Sequence, residues 1–464
     1  MNSGKLIELY NILPFNLQNF VLDIYGIKVR YNQFLWEKYI KKFACTEYMI
    51  KEKQIAYVER KLRFILMHAI MTVPRYKSYK TLLREIKDSK SNIFRILTKF
   101  PIIRKQDIIN NYEMFLSERP LTDKIVVAKT SGTTGTPFKV FMDKSTFNIA
   151  NAMWWRRTLW AGYKKNDWIA RLVGDPIVPL DVKNPKIPWR ISFISKRVYL
   201  SSYHLNKETA IKYLDILEKL KPNFLMGYPS ALSILCTYAI ENNVVPRWKP
   251  KAIFFSSEPM YEHQREIISK VLAAPLRGLY GSAERAISAA QCEHETYHLS
   301  LVDGFLEGQF GILPARQPAL VTSLLNTVMP LIRFELGDIV EPMPEISCKC
   351  GRTLPAIKPV VTKKEDYIIT PSGRRISSSV LTWAFKDLIG IRRSQIVQFD
   401  LDKVKVLIDS DKEVFERYQF LLKQRLNKMM FGEMKIFIEF SKDFSVTNTG
   451  KTRFVVRNFK DREF

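Results

Sequence analysis

Apolar residues over positions 1 to 125 recur at helical spacing among lysines and arginines. Phe34-Leu35-Trp36, Ile50 and the run from Ile55 to Ile70 carry the pattern, and Pro74, Pro101 and Pro120 interrupt it. This region is expected to be mainly helical. An apolar stripe with charges opposite turns toward a core, and on basic, aromatic-bearing helices the same stripe also suits a membrane surface. From 125 to 360 the texture changes to short apolar runs (124–128, 252–255, 277–280 and 319–323) separated by helical patterns at 145–161, 206–220, 229–242 and 261–272. Such alternation predicts an α/β sheet covered by helices. After the charged run Lys363-Lys364-Glu365-Asp366 a third texture begins: a hairpin around Pro371-Ser372-Gly373, a helix at 377–389, strands at 395–400 and 403–409, an amphipathic helix at 412–430 and a strand at 435–440. The boundary is placed there, giving a large region, 1–361, and a small α+β domain, 362–464, an ordinary domain size of about 100 residues.

Composition narrows the function. The chain has 464 residues, 46% of them hydrophobic, enough for a large core. A net charge of +27 and a pI near 9.7 suit anionic substrates, an anionic membrane or a nucleic acid. The basic residues are spread along the chain and no nucleic-acid module is present, so no nucleic-acid partner is expected. No stretch approaches the about 18 apolar residues of a membrane span and no leader pattern opens the chain, so a cytoplasmic location is expected. Five dispersed cysteines do not read as a disulfide framework.

Three of those cysteines suggest metal instead. Cys292 and His298 are followed some fifty residues later by Cys348 and Cys350, ahead of Gly351-Arg352-Thr353. Three thiolates and an imidazole suit structural Zn²⁺, with His294 competing for the imidazole place.

The stretch Lys129-Thr130-Ser131-Gly132-Thr133-Thr134-Gly135-Thr136-Pro137-Phe138-Lys139 has the make-up of a phosphate loop: small residues let N–H groups approach oxygens, and hydroxyls and lysines add donors and charge. It is not a Walker loop, because only two residues separate Gly132 from Gly135 and Lys139 lies further on. Downstream, in fixed order, come Ser256-Ser257-Glu258-Pro259, Tyr280-Gly281-Ser282-Ala283-Glu284, Ile332-Arg333-Phe334-Glu335-Leu336-Gly337-Asp338 and Gly450-Lys451-Thr452.

On these motifs the sequence resembles the adenylate-forming superfamily of acyl-CoA synthetases and luciferases, and within it the phenylacetate-CoA ligase family and its capsular polysaccharide biosynthesis branch. The resemblance implies a large N-terminal adenylate-forming domain with a helical N-terminal region, and a small mobile α+β C-terminal domain carrying the catalytic lysine. It implies an ATP-dependent, AMP-forming carboxylate ligase that makes an acyl-adenylate and passes the acyl group to CoA, with an amine or hydroxyl acceptor as the alternative. A non-catalytic binding relative of the fold is the reading from another class.

By that resemblance Ser131, Gly132, Thr133, Thr134 and Gly135 hold the ATP phosphates, Thr134 also serving catalysis. Glu284 ligates Mg²⁺, Tyr280 with Gly281 and Ser282 receives adenine, Ser256, Ser257, Glu258 and Pro259 edge it, and Asp338 accepts from the ribose hydroxyls. Lys451 contacts carboxylate and α-phosphate. The hinge, usually Gly-Arg-Xaa-Asp-Asp, reads Thr362-Lys363-Lys364-Glu365-Asp366, so Lys363 keeps the charge of the arginine without its planar fork. The acyl pocket is expected between the helix bearing Trp154 and Trp155, the segment Gly227-Tyr228-Pro229 and the turn from Ala283 to Ala286. Membrane or polysaccharide-biosynthesis machinery is the implied setting.

Overall fold

The helical periodicity near the start of the chain becomes the helices Phe15–Phe43 and Lys51–Thr72, with shorter helical turns onward to Phe115. In Lys51–Thr72 the residues Val58, Leu62, Ile65, Leu66, Ala69 and Ile70 are buried at the spacing of one helix face. Val73 leaves the helix in extended conformation and Pro74 follows, because the residue before a proline avoids the helical region. The computed structural model describes residues 10, 12–119, 124–129, 138–175, 177–179, 182, 185–316, 318–360, 367–373, 375–385, 388, 390–445 and 453–458. The chain divides into one unit of residues 1–30, 164–276 and 361–464 and a second of residues 31–163 and 277–360.

In the first unit the strands Ala252–Ser256, Phe224–Gly227, Ile169–Val173 and Arg197–Ser201 run parallel in that order, and Trp189–Ser192 closes the edge antiparallel. Burial along the parallel strands does not alternate, as strands covered on both faces require. Leu172, Leu200, Leu225 and Ile253 pack with Tyr213 and Leu217 of the helix Lys207–Leu220 and with Leu232 and Leu235 of the helix Pro229–Glu241. The C-terminal part of this unit is a four-stranded sheet ordered Lys435–Phe440, Lys403–Asp409, Arg393–Asp400, Val455–Arg457. Leu422 and Leu426 of the helix Lys412–Met429 are buried in the core that covers it. The helix expected at 377–389 is shorter: Ser378–Leu381, then a 3-10 turn Thr382–Phe385. Ser, Val and Thr are weak helix formers there.

The second unit holds an antiparallel sheet ordered Pro342–Met343, Ala356–Ile357, Tyr297–Leu299, Ser288–Gln291 and the strand ending Tyr280-Gly281. A three-stranded sheet, Gly304–Leu306, Leu320–Ser323 and Phe334–Glu335, belongs to the same unit. Leu331 to Phe334 reads as a strand in the sequence, yet only Phe334–Glu335 pairs. Leu331 and Ile332 turn into the core, and Arg333 has φ +49°, which breaks the extension.

Candidate active site

Tyr280 ends a strand and Asp338 follows the Gly337 turn, whose φ of +79° suits glycine. Although 58 residues apart, they touch: the Tyr280 hydroxyl donates to Asp338 Oδ2 at 2.8 Å. Burial, with the neighbouring Asp338 carboxylate second, pushes the Tyr280 phenol well above its usual range, so the ring stays neutral. Glu284 stands in the same region. Burial raises its carboxyl, opposed by the backbone N–H and by the Lys105 ammonium, a cost that a bound divalent cation would relieve. Lys105, which the sequence motifs did not single out, heads the helix Lys105–Asn110 and places its ammonium over the Phe138 ring at 5.4 Å.

Phe138 is fully buried and stacks on Phe334 (5.9 Å, 8°), four residues before Asp338. The strands Ile125–Lys129 and Lys139–Asp143 pair antiparallel with Lys129 opposite Lys139. The connection between them is the expected phosphate loop. Ser131, Gly132, Thr133, Thr134 and Gly135 lie outside the described residues, as do Lys363 and Lys451.

Beside Glu284, Arg285 has φ +57° and lays its guanidinium on the Trp154 ring at 3.6 Å, with Phe147 at 5.4 Å. Arg285 Nε and Nη1 and the Trp154 Nε1 are buried and have no hydrogen-bond partner among the described residues. Burial holds this guanidinium down at about 10. Gly281 admits the indole: a Cβ there would meet Trp154 ring atoms at 3.0 Å. Asp303 is also buried nearby, and the hydroxyls of Ser288 and Ser300 donate to its two oxygens. Arg285 lies in the turn from Ala283 to Ala286 that the sequence reading set at the acyl pocket, but the motifs did not single it out, because its signal is a missing partner.

In the other unit, Ser257 has φ +75° and Glu258 Oε2 accepts from the Ser230 N–H at 3.0 Å. That carboxylate therefore caps the helix Pro229–Glu241, favourable at the positive end of the helix dipole. Ser256 ends the strand Ala252–Ser256 and Pro259 follows the turn.

The four predicted metal ligands do come together. Cys292 Sγ, His298, Cys348 Sγ and Cys350 Sγ offer ligand atoms that all lie within 4.8 Å of one another. Cys292 and Cys348 sulfurs are 3.7 Å apart, against about 3.8 Å for the edge of a zinc tetrahedron with 2.3 Å bonds. Cys350 Sγ lies 3.2 Å from His298 Nε2, while Nδ1 meets the Leu354 carbonyl at 3.2 Å, a contact that turns Nε2 to the cluster. Burial lowers His298 to about 4, keeping the imidazole neutral as a ligand must be. His294 is not in the cluster; its backbone N–H donates to Cys292 Sγ at 3.3 Å. Around it, Arg156 and Arg352 lie over Trp160 at 4.8 and 4.1 Å, and Arg156 donates to the His298 carbonyl.

With this geometry in view, the fold is that of the adenylate-forming ligases. A solved 2-hydroxyisobutyryl-CoA ligase in the postadenylation state superposes with a TM-score of 0.66, covering 89% of this chain and 91% of that one at 16% identity. The same ligase with 2-HIB-AMP and CoA in the thioesterification state gives 0.54 at 18% identity, again over 89% and 91%. Residues 368–458 match the CapK C-terminal domain family. Over 468 residues the chain is 24% identical to the protein CapK of Staphylococcus aureus, covering 97% of this chain and 99% of the relative. To the phenylacetate-coenzyme A ligase of Pseudomonas putida it is 21% identical over 326 residues, 67% and 70% of the two chains. The resemblance drawn from the motifs is borne out: the chain is similar to the phenylacetate-CoA ligase family and its capsule-biosynthesis branch.

Proposed function

We propose that this chain activates a carboxylic acid with ATP, forming an acyl-adenylate and pyrophosphate, and passes the acyl group to CoA. The observation that carries the reading is the Tyr280–Asp338 hydrogen bond beside Glu284, which joins an adenine-type aromatic, a ribose-type carboxylate and a metal-type carboxylate. Asp338 accepts from the ribose hydroxyls, and the ring of Tyr280, oriented by that same bond, stacks on adenine. Glu284 is a hard oxygen donor fit for Mg²⁺, which when bound neutralises phosphate charge. Ser131 to Gly135 cradle the phosphates, Thr134 among them. Lys451 meets the carboxylate and α-phosphate from the small domain, 362–464, while 1–361 binds ATP and acid and Lys363 marks the hinge. Ser256, Ser257, Glu258 and Pro259 edge the nucleoside site.

The S3N donor set of Cys292, His298, Cys348 and Cys350 fits structural Zn²⁺, and we assign it that role. The activated acid serves surface or capsular polysaccharide biosynthesis in the cytoplasm, a setting supported by the likeness to CapK. Among the described residues no helix is long and apolar enough to cross a membrane. Exposed Leu17, Phe20, Val21, Ile24 and Ile27 on one helix, followed by Lys28, give a face for peripheral membrane contact. Transfer to an amine or hydroxyl instead of CoA is the alternative outcome of the same first step.

The test is pyrophosphate release with a panel of carboxylic acids, with and without CoA, on the intact protein and on Lys451→Ala. Acid-dependent release is expected, and the variant should lose about 10²- to 10³-fold while keeping its circular dichroism spectrum. Release from Lys451→Ala at the unmodified rate defeats the assignment of that lysine; no release with any acid defeats the enzymatic reading.

A further inference from the structure

The shelf formed by Trp154 and Arg285 presents donors with nothing to give to. Arg285 Nε and Nη1 and Trp154 Nε1 are buried without a hydrogen-bond partner among the described residues, and all three are donors. Buried donors of this kind are rare in folded proteins, because an unmade bond costs the desolvation of the group. Asp303 and Glu284 attract the Arg285 charge, yet neither accepts from its Nε or Nη1 among the described residues. Arg285 forms no ion pair among the described residues, the oxygens of Asp303 are already engaged by Ser288 and Ser300, and Glu284 is the carboxylate fit for a divalent cation.

The guanidinium lies on the Trp154 ring at 3.6 Å, so its face is occupied by the indole while Nε and Nη1 on its in-plane edge are buried without an acceptor among the described residues. That edge matches a carboxylate in fork geometry. The backbone holds the arrangement in place: Arg285 has φ +57°, a conformation disfavoured for a side chain with a Cβ, and Gly281 makes room for the indole. A plain alkyl or aryl acid would leave all three donors dry.

We propose that Arg285 and Trp154 form a subsite for a second anionic group on the acid, so that the substrate class is dicarboxylic. Resting on the adenylation reading, this deepens it: Arg285 reads the carboxylate that does not react. Arg285 is a specificity residue, and the reacting bond does not depend on it.

The experiment compares succinate and glutarate with the chain-matched butyrate and pentanoate, by pyrophosphate release and by thermal shift of the intact protein, for the natural chain, Arg285→Leu and Arg285→Lys. Dicarboxylates should be favoured in kcat/KM by about 10²-fold or more, since a site built to bond a polar group rejects a substrate lacking it. Arg285→Leu should erase that preference while the monocarboxylates hold or gain, and Arg285→Lys should keep part of it. Release that favours monocarboxylates, or a preference unchanged in Arg285→Leu, overturns the subsite while leaving adenylation standing. If no acid yields pyrophosphate, adenylation falls and the thermal shift decides: stabilisation by glutarate lost in Arg285→Leu supports the subsite, and no stabilisation of the natural chain overturns it. Should Arg285→Leu not fold, Arg285→Lys decides: a reduced preference supports the subsite, and an unchanged one overturns it.

Discussion

Arg333 and Arg285 belong to one unit and both have positive φ, the first buried and the second partly so, yet their surroundings differ in kind. Arg333 is saturated: Nε and Nη2 reach the two oxygens of Glu307 at 2.7 and 3.2 Å, and Nη1 donates to the carbonyls of Thr98 and Phe100. Arg285 has an aromatic floor and no hydrogen bond at Nε or Nη1 among the described residues. A saturated buried charge fastens segments, here residues 98–100 to the Gly304–Leu306 and Phe334–Glu335 strands. The unsaturated Arg285, on the proposal above, is held ready for a guest. Both arginines sit in or beside a recognised motif, so neighbourhood in sequence does not tell architecture from recognition; only the count of partners does.

The sharpest way to break the comparison is to empty the saturated site. Arg333→Met leaves Glu307 buried, with Arg316, more than half exposed and 3.9 Å away, as its remaining cation among the described residues, and should destabilise by about 3–5 kcal/mol in a denaturant titration. The double variant Arg333→Met with Glu307→Leu should recover most of that loss. A single variant as stable as the natural chain would make Arg333 no better anchored than Arg285.

Next in size is the Cys/His cluster, the other saturated corner. The chain should carry about one zinc, and Cys348→Ser should lose it together with roughly 5–10 °C in Tm. Metal analysis finding none, or an unchanged Tm, reduces the four residues to buried thiols beside a histidine.

The smallest effect concerns a histidine for which no hydrogen bond is seen among the described residues. Burial alone lowers His263, stacked on Tyr261, from 6.5 to about 4. Because the folded pKa lies below the unfolded one, its share of stability is present above about pH 6.5 and is lost as pH falls toward 4. His263→Gln should flatten that fall by about 1–2 kcal/mol between pH 7 and 4; an identical slope would show that the imidazole reaches water freely.

Much of the fold was legible because long apolar periods leave little choice. The helix Lys144–Trp160 and the strand Lys403–Asp409 lie within a residue or so of the pattern's edges. The strands Ser288–Gln291 and Tyr297–Leu299 were not legible: four and three residues cannot display alternation, and their existence depends on pairing with one another. Of the candidate site, Cys292, His298, Cys348 and Cys350 were readable from spacing, and Tyr280 and Asp338 from motif order. Lys105 was not, because nothing in the sequence brings it to Glu284 across some 180 positions. Arg285 was hidden for a different reason, since its significance lies in an unmet valence that only three-dimensional contacts reveal.

The juxtaposition of Cys292 and Cys348 also bears on how the chain reaches its final shape. Tyr280 and Asp338 are 58 positions apart, and the two sulfurs sit between and beyond them. Once those sulfurs are joined, the shortest covalent path from the tyrosine to the aspartate shrinks to about 22 positions, and the ring-closure entropy of their bond falls by roughly 0.9 kcal/mol. The cluster is in this sense a shortcut in the chain's connectivity: the nucleoside-facing pair is easier to close after the sulfurs have met than before.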